Sequence, residues 1–127
     1  MKHALAGLMA AGLLLSAVTA QAATREDLEN QALDHANKAD GQVTVGVDAF
    51  KAGDQAKGCA AFRVAYDELG QAIDLLDQDA DVVRNDKSLS DAGRTTELND
   101  VTGAREDAVK TRDLVGAQIQ QRCQSTT

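Results

Sequence analysis

The sequence predicts an all-α fold: an antiparallel three-helix bundle built on a long helical hairpin and stapled by one disulfide. Three observations predict it. Apolar residues recur every three or four positions through nearly all of residues 24–123. None of the 127 residues is proline, so nothing forces a helix to stop. The two cysteines, Cys59 and Cys123, both fall on the apolar stripes, at positions that face each other if helices two and three run antiparallel.

Residues 1–22 read as a cleaved secretory signal peptide. Lys2 supplies the positive start, and Ala4–Val18 is a 15-residue apolar run. Ala20-Gln21-Ala22 satisfies the small-x-small cleavage rule, which places the cut near Ala22/Ala23. The run is shorter than the ~20 apolar residues a membrane span requires. No cysteine stands at the cut to accept a lipid. The mature domain, residues 24–123 with a frayed tail at 124–127, is therefore expected to be periplasmic or secreted and unattached to membrane.

In the first helix, Leu28, Ala32, His35, Ala39, Val43, Gly46 and Phe50 form the stripe. Thr24 suits its N-cap, with Glu26 and Asp27 near the positive helix end. The β-branched run Val43–Val47, beside Gly41 and Gly46, is its weakest part. A break there gives four helices instead of three. Gly53 suits the left-handed C-terminal position, and Asp54 the next N-cap.

The second helix has the cleanest stripe. Cys59, Phe62, Tyr66, Leu69, Ile73, Leu76, Ala80 and Val83 alternate spacings of three and four, the seam of an antiparallel hairpin. Asn85–Asp91 is a polar turn with Ser88 or Ser90 as cap. The third helix carries Leu98, Val101, Ala104, Ala108, Thr111, Val115, Ile119 and Cys123. Gly93, Gly103 and Gly116 weaken it by up to about 1 kcal/mol each relative to alanine.

Export takes the cysteines out of the reducing cytosol, which favours their pairing. Cys59 and Cys123 are centred on residue 91, inside the turn region, as partners across a hairpin must be. The alternative, a reactive thiol, calls for a C-x-x-C motif or a nearby base, and the sequence has neither.

Loss of the leader removes Lys2, one of 13 basic side chains, and none of the 20 acidic ones, moving the formal charge from −7 to −8. Such a chain is not expected to bind nucleic acid, because duplex affinity comes largely from cations on phosphates. Anionic lipid surfaces are disfavoured for the same reason.

Catalytic patterns are absent from the sequence. His35, the one histidine left after processing, lies on an apolar stripe, where it is expected to be packed or hydrogen-bonded. Neither HExxH, a phosphate-binding GxxxxGK[ST] loop, a C-x-x-C-H haem motif nor a G-x-S-x-G elbow occurs. Asp77, Asp79 and Asp81 make the D-x-D-x-D opening of a calcium loop, but Val82 and Ser88 stand where glycine and glutamate belong. On a helix the three point about 200° apart in succession, so they read as a solvated acidic face and only a weak metal candidate. No cofactor is expected.

Val45–Leu69 resembles one tetratricopeptide helical hairpin. Val45-Gly46 sit where that repeat has its Leu-Gly pair, Gly53-Asp54 resemble its turn, and Phe62 and Ala65 match two packing positions. Gly58, Ala49 and Gly70 depart from its alanine, aromatic and proline, and no second copy follows. The resemblance implies a hairpin at these residues and not membership of the repeat family.

The expected function is that of a non-catalytic envelope protein acting by protein–protein contact in stress response, assembly or inhibition. The alternative is a bundle that holds a small ligand or cation, with Phe50, Phe62 and Tyr66 as its candidate pocket or core. Enzymatic activity ranks third. A homodimer is an expected way for a thin three-helix core to bury a remaining face.

Overall fold

A computed structural model describes residues 13–124, with side chains described from Thr24 onward. Most of the expected leader core and residues 125–127 of the expected tail lie outside the described residues. The described chain is all-helical: α1 Leu13–Lys51, α2 Gln55–Asn85 and α3 Asp91–Cys123.

α1 differs from expectation at two points. In the full chain Thr24 lies inside the helix, which already runs from Leu13 with no glycine or proline intervening. The Val43–Val47 run does not break it either, so the described residues form three helices and not four. Packing decides against the break. Val43 and Gly46 lie on the side facing α2, and Gly46 is buried beneath the Phe62 ring.

Both turns follow local chemistry. Gly53 adopts φ +80°, a left-handed conformation that favours glycine. The Asp54 N–H donates to Ala49 O at 2.8 Å, and Asp54 Oδ1 accepts from the Lys57 N–H at 3.1 Å, capping α2. At the second turn, Ser90 caps α3 by accepting from the Gly93 N–H at 3.0 Å. The Asp86 carboxylate accepts from the Ser88 N–H at 2.9 Å and the Ser88 hydroxyl at 2.5 Å. These two bonds hold the Asp86 carboxyl below its usual range. Arg94 reaches back and donates to Asp86 O at 2.7 Å.

α2 is central: α1 and α3 each run along it, while α1 and α3 approach each other little. Its buried face is correspondingly wide, taking in Ala61, Ala65 and Ala72 as well as the predicted seam. One apolar cluster joins Ala39 of α1, Phe62, Ala65 and Leu69 of α2, and Val115 of α3. A second, further along, joins Ala32, Leu76, Ala80 and Val101.

Two glycines set the closeness of α1 and α2. A Cβ on Gly46 would meet the Phe62 ring at 2.4 Å, and one on Gly58 would meet the Phe50 ring at 2.5 Å. Each helix thus offers a glycine seat to the other's phenylalanine. The rings then meet edge-to-face, 5.2 Å apart and 87° between planes.

α2 and α3 keep one antiparallel register along their length. The Cys59 and Cys123 sulfurs stand at disulfide distance, 2.15 Å, with Cα atoms 5.7 Å apart. Tyr66 lies against Gly116, and Arg105 Nε donates to Asp77 Oδ1 at 2.6 Å. All three pairs are centred on residue 91, the centre expected from the cysteines alone.

Candidate functional site

The apolar clusters leave a gap between them. Between Val101 and Val115, α3 presents Ala104, Ala108 and Thr111, and between Ala32 and Ala39, α1 presents Ala36. These side chains are too short to bridge two helices that flank a third. The result is a groove of about 370 Å³ between α1 and α3, floored by Leu69, Ala72 and Leu76 of α2. Leu33 stands on its α1 wall with 59% of its surface exposed.

The polar rim of the groove has one sign. Glu29, Asp40 and Asp107 border it, and no lysine or arginine lines it. Glu29 pairs with Arg25 at 3.0 Å. Among the described residues, no ion pair engages Asp40 or Asp107.

At one end of the groove lies a charge cluster that ties all three helices. Asp79 is fully buried and accepts from Arg25 Nε at 2.9 Å and from Nη2 at 3.4 Å. Arg25 also reaches Glu97 of α3 at 3.3 Å. The Asp79 hydrogen bond and charge hold the guanidinium more firmly protonated than usual. Glu29 responds in the opposite sense to an ordinary ion pair. Partial burial and then the Asp79 charge raise its pKa, outweighing an arginine already committed elsewhere.

The three aspartates of the D-x-D-x-D run do not converge. Asp77 pairs with Arg105, Asp79 with Arg25, and Asp81 with Arg84 at 2.8 Å. The solvated reading holds for Asp77 and Asp81 and is corrected for Asp79. Its position carried the signal: it lies three residues after Leu76 and four before Val83, on the apolar side of α2. His35 is half-buried, and its Nδ1 hydrogen-bonds the Glu68 carboxylate across α1 and α2.

The candidate aromatic trio is also separated. Phe50 and Phe62 pack together and border a recess of about 270 Å³ near Lys51 and Arg122. The Arg122 guanidinium lies 4.9 Å from the Phe50 ring centre, so that aromatic face is already occupied. Tyr66 belongs neither to the core nor to this recess. It is 40% exposed, because Ala65 takes the inward position, and its ring lies along α3 against Gly116 with Arg112 5.7 Å from its centre.

No family model, curated protein or solved structure matches the chain. Function therefore rests on the site itself. The groove was not predicted from sequence, and its signal there is an excess of alanines where two flanking helices must meet. Among the described residues, no helix is long and apolar enough to cross a membrane.

Proposed function

We propose that this chain is an exported, non-catalytic envelope protein that works by protein–protein contact, with the groove between α1 and α3 as its docking surface. The observation that carries this reading is the groove: an apolar floor reaching the central helix, an exposed Leu33 on its wall, and flanking helices held apart. Supporting it, Asp79 and Glu97 at the nearby charge cluster, and His35, are engaged in cross-helix bonds that hold the scaffold. The groove lies between two fastenings: α2 and α3 are tied at one end by the cysteine pair, and all three helices at the other by Arg25.

Site-specific photocrosslinking in the native envelope tests this. A benzophenone side chain at position 33 or 108 should form a discrete adduct, lost when Ala36→Arg is added. The same probe at position 113, outside the groove, should not. Adducts of equal yield from all three positions, or none from 33 and 108, would overturn the reading. The intact mass of the exported chain checks its processing: it should lack residues 1–22 or 1–23.

A further inference from the structure

We infer that the occupant of this groove is a cationic amphipathic helix of another protein, an assignment that rests on the docking role proposed above. Shape and charge carry it. At 1.5 Å per residue the α1 wall from Glu29 to Asp40 is about 16 Å long, and the α2 floor from Leu69 to Leu76 and the α3 wall from Ala104 to Thr111 are about 10 Å each, so the groove seats about two turns of a helix. Apart from Thr111, the floor and walls inside the acidic rim are alanine and leucine, so they accept a helix face of small and aliphatic residues at close approach.

The rim chooses the sign of the flanks. Three carboxylates border the groove without a lining cation, and two of them have no ion pair among the described residues. A helix with lysine or arginine beside its apolar stripe would answer those charges. An acidic or neutral helix would bury the same apolar area beside uncompensated carboxylates.

A second copy of the chain fits less well. The most exposed large apolar side chain among the described residues is Leu114 of α3, at 65%, with half-buried Val109 near it. Around it Arg105 and Lys110 are balanced by Glu106 and Asp113, and Arg105 is already paired with Asp77. That strip brings no cationic excess to a negative rim.

Fluorescence anisotropy on the mature, oxidised protein tests the inference with three dye-labelled 14-residue peptides. One carries a Leu/Ala stripe flanked by lysines, the second has glutamates in place of the lysines, and the third has the first composition scrambled. The lysine-flanked helix should bind, and more weakly as salt rises. Replacing Asp40→Asn and Asp107→Asn together should weaken it roughly threefold to tenfold, the range expected of two exposed ion pairs. Both changes are at the surface, and an unchanged helical signal and melting curve confirm the fold. Equal binding of the glutamate-flanked peptide would overturn the cationic assignment while leaving the groove as a docking surface. Equal binding of the scrambled peptide, or no binding by any, would overturn the helical occupant. A protein dimer in sedimentation that Ala36→Arg dissociates would assign the groove to a second copy and overturn the inference. The photocrosslinking above, which assumes no partner chemistry, separates these failures from failure of the docking role.

Discussion

At the scale of single residues, Asp79 decides more than any other polar group. It is fully buried, and its carboxylate is compensated by Arg25, itself only 16% exposed. Removing one member of a buried pair strands the other, and the usual loss is about 3–5 kcal/mol. Asp79→Ala should therefore lower the urea midpoint severely, whereas the double change Arg25→Met with Asp79→Leu should recover much of the loss. A double variant no better than the single one would show that Arg25 contributes through Glu97 and not through Asp79. Glu29 makes a prediction of opposite sign. Its folded pKa is raised, so the native state binds protons more readily than the unfolded chain, and this group's stability penalty grows as pH rises through the carboxylate range. Glu29→Gln should stabilise at pH 7 by a few tenths of a kcal/mol, since the side chain is 51% exposed and screened. The gain should fade as pH drops through the carboxylate range and vanish by about pH 3, where wild-type Glu29 is protonated in both states. Melting curves of the two proteins at both pH values check it, and a gain that persists in acid would contradict it.

At the scale of elements, the glycines separate into two kinds that sequence alone did not distinguish. Gly46 and Gly58 are seats for phenylalanine rings, while Gly41 and Gly103 face open space. Alanine at Gly46 or Gly58 should destabilise by about 1–3 kcal/mol through overpacking, exceeding the helix-propensity gain of about 1 kcal/mol. Alanine at Gly41 or Gly103 should keep that gain and stabilise by roughly 0.5–1 kcal/mol. Denaturant melts of the four variants test both directions together; stabilisation at Gly46 would mean the ring can slide aside. The stripes themselves were legible: Leu28, Ala32 and Ala39 on α1, and most of the Cys59–Val83 seam, are buried as their spacing implies. The turn residues Gly53, Asp54 and Ser90 were legible because each acts on its own backbone within a few positions. What the stripes could not show was that α2 serves two neighbours. A periodic seam identifies one face of one helix, and a central helix buries a wider arc. Hence Ala65 is inside where Tyr66 was expected, and Ala104 on the α3 stripe is exposed at the groove.

At the scale of the whole molecule, α2 and α3 are fastened covalently at one end and α1 is held to both by charge at the other. The Cys59–Cys123 pair spans a separation of 64 residues. A cross-link closing such a loop is worth about 4 kcal/mol in the chain-entropy model. For a domain of this size, where 1 kcal/mol moves the melting temperature by roughly 4–8 °C, reduction should lower it by about 15–30 °C. The two fastenings also predict where the loss is felt first. Amides at the start of α2 and the end of α3 should gain exchange on reduction, because Cys59 and Cys123 are among the most buried side chains there. Amides near Asp79 should stay protected, because Arg25 bridges α1, α2 and α3 without any thiol. Hydrogen exchange of oxidised and reduced protein reads both ends at once. Uniform loss along all three helices would mean that the molecule opens as one unit and that the Arg25 cluster does not hold its end alone. Protection kept at both ends would mean that apolar packing already fixes the α2–α3 register, leaving the disulfide to act only on the unfolded chain.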